Sequence, residues 1–181
     1  MFIRDATEAD LPAIVAIYNA AIPGRMATAD TEPVSVESRR AWFRKFTPDR
    51  RPLWVMDRGG VVIGWLCFNN FYEGRPAYHA TVEVSFYVAP AHQRQGIGRA
   101  LLGEAIHRAP VLGFKTLLCY IFGHNEPSLR LCKQFGFTQW GHLPRIAELD
   151  GEERDLIILG LRLDSCYNVL TDVTQPLVPW D

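Results

Sequence analysis

The sequence has no long apolar run and no excess of charge of one sign. A membrane-spanning helix needs roughly 20 consecutive apolar residues, and no stretch of the 181-residue chain comes near that length. The 19 Lys and Arg residues nearly balance the 20 Asp and Glu residues, so the formal net charge is −1. We therefore expect no membrane partner and no nucleic-acid partner. The start, MFIRDATEADL, lacks the build of a signal peptide, which predicts a cytoplasmic protein.

Cysteine is scarce and scattered, with four residues in the chain and no Cys-x-x-Cys pair. No histidine pair stands at metal-ligand spacing either, so the sequence indicates neither a metal site nor a disulfide framework. The cysteines are therefore interpreted as buried free thiols. A chain of this length buries enough apolar surface to fold without such cross-links.

Hydrophobic spacing predicts one domain, residues 1–163, followed by a tail, residues 164–181. The order of elements predicts an α/β (α+β) protein with a mixed, mostly antiparallel sheet of about six to seven strands flanked by helices. Gly59 and Gly60 predict a tight hairpin between two of the strands. Helices are predicted at residues 7–19, 35–46, 100–108 and 126–135, and strands at residues 53–57, 61–68, 81–88, 116–121, 138–143 and 155–163.

A glycine pair, Gly96 and Gly98, lies between a predicted strand and a predicted helix. Ligand sites use glycines there because the first N–H groups of a helix attract phosphate. A dinucleotide-binding turn is excluded, because it would need a third glycine where Leu101 stands. A nucleotide P-loop is excluded as well, because it would need Lys-Ser/Thr after the second glycine, where this chain has Arg99 and an alanine. What remains is a turn whose amides face an anion, with Arg94 and Arg99 beside it. We expect a pyrophosphate at this turn.

Three motifs in the right order resemble those of the GNAT superfamily of N-acyltransferases. Residues 93–98, QRQGIG, resemble its acyl-CoA signature Gln/Arg-x-x-Gly-x-Gly/Ala. Residues 124–131, HNEPSLRL, followed by a Gly-Phe pair at 136–137, resemble its second motif. Residues 81–90, TVEVSFYVAP, are similar to the strand before the CoA turn in the phosphinothricin acetyltransferase-like branch. The resemblance spans residues 2–163 and implies a GNAT-like fold with acetyl-CoA as the acyl donor.

The resemblance also implies roles for individual residues. In that branch the glutamate in the position of Glu83 is regarded as the base that activates the substrate amine, directly or through water. By similarity, backbone groups of Phe86, Tyr87 and Val88 pair with the pantetheine arm. The second-motif residues Asn125 and Ser128 complete the CoA site. The implied pyrophosphate turn comprises Gln93, Arg94, Gln95, Gly96, Ile97, Gly98 and Arg99.

The chemistry of acyl transfer to an amine explains why these residue types are needed. A primary amine is mostly protonated at neutral pH, so a half-buried carboxylate with a raised pKa is suited to take its proton. Strand alternation puts Glu83 on the same face as Ser85 and Tyr87. A free backbone N–H at or near Val88, where this strand parts from its neighbour, would polarise the thioester carbonyl.

The sequence singles out no one residue as the acid that protonates the leaving thiolate. Many members of the superfamily have a tyrosine where this chain has Cys132. Tyr120, Ser128 or water are the alternatives, and a general acid helps only modestly because a thiol has a pKa near ~8.5.

In folds of this type the acceptor is expected to enter from the face opposite CoA, where the loop after the first helix converges with the polar loop at residues 69–79. There Arg75 is either a clamp for a substrate carboxylate or an ordinary surface arginine, and aromatic residues such as Tyr78 would close the pocket. The acidic segment at residues 146–154 differs from the basic segment of relatives that acetylate phosphinothricin, which disfavours that substrate. Four aromatic residues are assigned to the core rather than to a pocket: Trp42, Phe43, Trp54 and Trp65.

The leading hypothesis is therefore an acetyl-CoA-dependent N-acetyltransferase that acts on the primary amine of a small molecule through a ternary complex. An amino acid or amino-acid analogue fits this acceptor class. One alternative is a non-catalytic acyl-CoA-binding or sensor module. Another is acetylation of a protein N-terminus or lysine, which would need a longer peptide groove. Edge strands and the tail favour a homodimer, as in many relatives.

Overall fold

The computed structural model describes residues 1–163, and the predicted tail, residues 164–181, lies outside the described residues. The described part contains seven strands in one sheet and four α-helices. The strands are β1 (Phe2–Asp5), β2 (Leu53–Arg58), β3 (Val61–Asn70), β4 (Thr81–Val88), β5 (Thr116–Phe122), β6 (Thr138–Leu149) and β7 (Glu152–Arg162). The helices are α1 (Leu11–Ala21), α2 (Val36–Phe43), α3 (Ile97–Arg108) and α4 (Glu126–Gln134).

The strands are arranged in the order β1-β2-β3-β4-β5-β7-β6. All neighbours are antiparallel except β4 and β5, which are parallel and are connected through α3. The predicted mixed, mostly antiparallel sheet of six to seven strands is thus confirmed. The predicted hairpin between β2 and β3 forms at Gly59 and Gly60, which both have positive φ, and the Gly60 N–H donates to Asp57 Oδ1 at 2.7 Å.

Strand β1 was not predicted from the sequence. Four residues are too few to show a clear alternation of apolar and polar side chains. Their strand conformation is set by pairing with β2, in which Ile3 lies opposite Met56 and Arg4 opposite Val55. The long-range partner therefore decided the structure of this segment.

The sheet has a hydrophobic core on each face. Leu66 and Phe68 of β3 point into the larger core beneath α3 and α4, together with Leu101 of α3. Trp65 and Cys67 alternate to the other face and pack with Ile14 of α1 in the smaller core. Each such fully buried apolar side chain stabilises the fold by about 1.5–3 kcal/mol. The α1 and α2 side is also the face on which the side chain of Glu83 lies.

Two helix boundaries differ from the prediction in a way that affects the site. Helix α3 begins at Ile97, three residues before the predicted start, because Gly96 adopts a left-handed conformation (φ 79°) and serves as its N-cap. Helix α2 ends at Phe43, earlier than predicted. At its other end Ser35 is the N-cap, and its Oγ accepts from Ser38 N at 3.1 Å. No helix within residues 1–163 is both long and apolar enough to cross a bilayer.

The last two strands form a longer hairpin than predicted. Its turn is Asp150-Gly151, with φ of 53° and 81°, the left-handed pair that two-residue hairpins favour. The acidic segment interpreted as a substrate-specificity region is therefore mostly strand. Asp150 forms an ion pair with Arg25, in the segment that follows α1, at 2.8 Å.

Candidate active site

The site is built around the point where β4 and β5 part. The two strands pair only from Thr81 to Glu83, which lies opposite Leu118, and β4 then continues to Val88. The separation thus begins at Glu83 rather than near Val88. Ala89 N donates to Ile63 O at 3.0 Å, so strand alternation directs the N–H and C=O groups of residues 86 and 88 away from β3 and into the gap.

A cleft of about 850 Å³ extends from this gap across the start of α3. It is bounded by β4, α3, α4 and the segment that follows α1. Gln95, unlike the other predicted CoA residues, does not line it; its Nε2 donates to Ala91 O at 3.1 Å. The predicted residues that line the cleft are Phe86, Tyr87, Val88, Gln93, Arg94, Gly96, Ile97, Gly98, Arg99, Asn125 and Ser128.

The start of α3 has the features of an anion site. Gly96 is its N-cap, and no side chain caps the first turn, so its N–H groups and the positive end of the helix dipole face the cleft. Arg94 also has a positive φ of 60°, which shapes the turn. Arg99 is oriented by Gln134, whose Oε1 accepts from Nη1 at 3.1 Å, and by the ring of Phe135. This arrangement fits the pyrophosphate of an acyl-CoA.

Asn125 joins two walls of the cleft. It is 7% exposed; its Oδ1 accepts from Ser128 N at 3.3 Å, and its Nδ2 donates to Met26 O at 2.9 Å. His124 Nε2 lies 2.7 Å from Arg25 O, so its N–H donates to that carbonyl. The segment after α1 is thereby fixed against the start of α4. The sequence predicted this segment as a loop at the acceptor entrance. Its contacts with α4 were not predicted, because the partners are about 100 residues away along the chain.

A second cavity, of about 220 Å³, contains Glu83. It lies between the sheet and the helices α1 and α2. We refer to it as the Glu83 cavity. Its lining residues are Ile14, Val15, Tyr18, Val34, Arg39, Trp42, Trp65, Cys67, Asn69, Glu83, Ser85 and Tyr87.

Glu83 is the last member of a chain of polar side chains. Cys67 Sγ donates to Asn69 Oδ1 at 3.6 Å, Asn69 Nδ2 donates to Ser85 Oγ at 3.2 Å, and Ser85 Oγ donates to Glu83 Oε1 at 3.1 Å. Burial raises the pKa of Glu83, and the hydrogen bond from Ser85 opposes this rise. The carboxyl group is therefore a stronger base than an exposed glutamate and is held in a defined position.

Tyr87 is common to the cleft and the Glu83 cavity. Its ring stacks on Trp65 with 4.7 Å between centroids, and its hydroxyl donates to Ala27 O at 3.0 Å. Burial raises its pKa well above the usual range, so the hydroxyl stays protonated. Tyr87 thus forms a neutral boundary between the two spaces.

The structure does not bring the predicted acceptor residues to the Glu83 cavity. Arg75 lies over the ring of Tyr72 at 5.6 Å, and Tyr78 packs against Phe71 at 5.1 Å. Neither residue lines either cavity, so their assignment stays a prediction. Arg39 and Tyr18 line the cavity instead. The sequence did not mark either of them as a site residue, because spacing along a helix separates a core face from a surface face but does not reveal a binding site.

The aromatic assignments were correct for Trp54 and Phe43, which pack in the two cores. Trp42 and Trp65 belong to the smaller core but also line the Glu83 cavity. Their assignment to the core is therefore confirmed, and the structure adds a cavity wall that was not predicted. A small cavity within a core is lined by core residues, and spacing along the chain does not reveal the cavity.

The candidates for the leaving-group acid occupy different environments. Cys132 is fully buried in the larger core and lines neither cavity. Ser128 lines the cleft. Burial, and then the charge of Glu83, raises the pKa of Tyr120. The position occupied by tyrosine in many relatives therefore supplies no acid from this chain.

Comparison with known proteins identifies the family. Residues 14–137 match the model of the Acetyltransferase (GNAT) family. The chain belongs to the GNAT family. The predicted family is thereby confirmed, including its phosphinothricin acetyltransferase-like branch.

Several GNAT relatives match almost the whole chain. YwnH of Bacillus subtilis (strain 168) is 51% identical over 164 residues, which are 90% of this chain and 99% of YwnH. The L-amino acid N-acyltransferase MnaT of Escherichia coli (strain K12) is 35% identical over 164 residues, 91% of this chain and 95% of MnaT. The solved structure of a phosphinothricin acetyltransferase from Sinorhizobium meliloti in complex with AcCoA has a TM-score of 0.84 and 32% identity; the match covers 90% of this chain and 88% of that one.

These matches confirm that the protein is an acetyltransferase and that acetyl-CoA is its acyl donor. The start of α3, which no side chain caps, the arginines beside it and the N–H groups of residues 86 and 88 fit that donor.

Proposed function

We propose that this GNAT enzyme acetylates the primary amine of a small amino acid or amino-acid analogue, with Glu83 as the general base. The observation that carries the proposal is the position of Glu83. Its carboxyl group lies in a small cavity, at the residue where β4 and β5 part. Tyr87 places the cavity beside the cleft that fits acetyl-CoA.

Each residue contributes to a direct transfer. Glu83 takes one proton from the substrate ammonium group, which frees the nitrogen lone pair for attack on the thioester carbonyl. The N–H groups of Phe86 and Val88 face the gap, where such donors stabilise the developing negative charge on the carbonyl oxygen. The C–N bond forms and the C–S bond breaks. The nitrogen then loses a second proton, which passes through Ser128 or water to the departing CoA thiolate, so that Ser128 or the water ends the step unchanged.

The size of the Glu83 cavity supports a small acceptor. Its volume of about 220 Å³ lies below the roughly 300–1,000 Å³ of a typical small-molecule pocket. That space suits a single amino acid and disfavours a peptide segment, which would need an extended groove. The name of MnaT as an L-amino acid N-acyltransferase supports the same acceptor class.

The first test is the substitution Glu83→Gln, which keeps the shape of the side chain and removes its basicity. We expect kcat to fall by about 10²-fold to 10⁴-fold, the usual contribution of a general base, with little change in the affinity for CoA. Thiol release with a panel of L-amino acids measures turnover, and calorimetry measures CoA binding.

Glu37→Gln is the matched control, because Glu37 is an exposed glutamate on α2 that pairs with Arg40. Its activity should equal that of the unchanged protein. Full activity of Glu83→Gln across the pH range would disprove the assignment of the base. If the unchanged protein binds CoA but releases no thiol with any amine, the result would instead favour the sensor module.

We also propose a cytoplasmic homodimer. The described cysteines, Cys67, Cys119 and Cys132, are buried free thiols, as is common in a reducing compartment. Exposed apolar side chains on the edge strand β6, Trp140 and Ile146 among them, supply a surface for a second copy. Sedimentation at several protein concentrations tests the dimer.

A further inference from the structure

The Glu83 cavity contains one side chain with a positive charge, Arg39, opposite in sign to Glu83. We propose that Arg39 binds the carboxylate of the acceptor and so selects α-amino acids over other amines. This inference rests on the proposed function and adds to it the group that recognises the substrate.

Arg39 is held in one orientation by its neighbours. Its guanidinium lies 5.0 Å from the ring centroid of Tyr18 and 5.8 Å from that of Trp42. Its Nη2 donates to Asp30 Oδ2 at 2.7 Å, and the hydroxyl of Tyr18 donates to the same oxygen at 2.7 Å. Aromatic stacking and an ion pair thus restrict the side chain before any ligand binds, which lowers the entropy lost on binding.

The guanidinium keeps donors for a ligand. Arginine has five N–H donors in a planar fork, and the hydrogen bond to Asp30 is made by Nη2 alone. Asp30 is partly exposed and lies outside the lining of the cavity. It therefore orients Arg39 without occupying the space in which a carboxylate would bind.

The charges of the cavity match those of a free amino acid. Glu83 and Arg39 are the two lining residues with full charges of opposite sign, and apolar or aromatic side chains such as Ile14 and Trp65 form much of the rest. An α-amino acid carries an ammonium group and a carboxylate on the same carbon. If the ammonium group faces Glu83, the carboxylate is attracted to Arg39, and the side chain occupies the apolar remainder.

The best test compares pairs of substrates that differ only in the charge of the carboxyl group. Each L-amino acid acetylated by the unchanged enzyme is assayed beside its own carboxamide. We expect a preference for the amino acid, and we expect Arg39→Met to reduce kcat/KM for it by about 10-fold to 100-fold, the usual effect of losing a charged hydrogen bond. The carboxamide should be affected much less, so the preference disappears.

Further variants separate recognition from folding. Arg40→Met is the matched control on the next residue of α2, where the arginine forms surface ion pairs with Glu37 and Glu8; it should keep the preference. Arg39→Lys keeps the charge and should retain part of the preference, and calorimetric binding of CoA shows whether each variant is folded.

Several outcomes would overturn the inference while leaving the proposed function intact. The unchanged enzyme could use the amino acid and its carboxamide equally well. Arg39→Met could lower kcat/KM equally for both substrates. The preference could also be lost in Arg75→Met and kept in Arg39→Met. Failure of the unchanged enzyme to acetylate any amino acid would overturn the proposed acceptor class together with the role of Arg39.

Discussion

Glu83 shows how the position of one residue adjusts its chemistry. Burial raises its pKa, which makes it a better base, while the hydroxyl of Ser85 donates to the carboxylate and limits the rise. Asn69 in turn donates to Ser85, so the hydroxyl proton is directed towards Glu83. The basicity of Glu83 is thus set first by burial and then by the hydrogen bond from Ser85, which Asn69 orients.

The substitution Ser85→Ala tests this effect through the pH profile. Removing the donor destabilises the charged form of Glu83, so its pKa rises further. Because the proposed mechanism requires deprotonated Glu83, the acid limb of kcat/KM should move to higher pH. The measurement is a pH–rate profile with a saturating concentration of acetyl-CoA.

Ser85→Thr is the control, since it keeps a hydroxyl at the same position and should keep the limb near its original pH. An acid limb that stays in place in Ser85→Ala would mean that another group controls the profile. A fall in activity without a shift would indicate a structural role for Ser85.

At the scale of elements, the short strand β1 is held by an ion-pair cluster. The guanidinium of Arg4 donates to Asp10 Oδ2 at 2.7 Å and to Asp57 Oδ2 at 3.0 Å. It therefore connects β1 with β2 and with the turn that precedes α1. Arg4 lowers the pKa of Asp10 to about 2, mainly through the side-chain hydrogen bond.

Arg4→Met should lower the free energy of unfolding at pH 7 by about 1–3 kcal/mol, because it leaves two buried carboxylates without their partner. Since the pKa of Asp10 is lowered in the folded state, its contribution is present above its ordinary pKa of 3.8 and is lost as the pH falls towards about 2. The difference between the two proteins should therefore shrink over that range. Denaturant unfolding at several pH values measures it.

Arg44→Met is the comparison, because Arg44 makes only a long, exposed ion pair with Glu8 at 3.7 Å and should contribute less than about 1 kcal/mol. A destabilisation by Arg4→Met that is the same at pH 7 and pH 2 would show that packing, rather than charge, holds β1.

At the scale of the whole molecule, the donor cleft and the Glu83 cavity are separate spaces that meet at Tyr87. Both substrates therefore have room to bind at once. Cys67, the cysteine that lines the Glu83 cavity, is fully buried, and burial raises its pKa well above the usual range. It is a poor nucleophile in that state.

Double-reciprocal plots of the initial rate should therefore give intersecting lines when both substrates are varied. Mass spectrometry of the intact protein should show no acetylated enzyme after incubation with acetyl-CoA alone. Cys67→Ala should turn over within about threefold of the unchanged protein, a difference of under 1 kcal/mol in the barrier. Parallel lines together with an acetylated Cys67 would indicate a covalent intermediate.

Much of the fold was predictable because it depends on local signals. The apolar spacing of α1 and the glycines of the β2–β3 turn act over a few residues, and the structure has both as predicted. Strand β1 was missed because its conformation depends on a partner about 50 residues away. The Asp150-Gly151 turn was missed although Asp-Gly is a local hairpin signal, since the acidic composition around it was given more weight.

The sequence by itself determined the family, the donor and the base to be tested, because QRQGIG, Glu83 and Asn125 are chemical signals readable at fixed spacing. Only the tertiary structure decided what surrounds that base. Arg39 and Trp65 come from α2 and β3, and they meet Glu83 of β4 only after the helices pack on the sheet. A cavity is a property of packing between distant segments, so the proposed acceptor site could not be found before the fold was known.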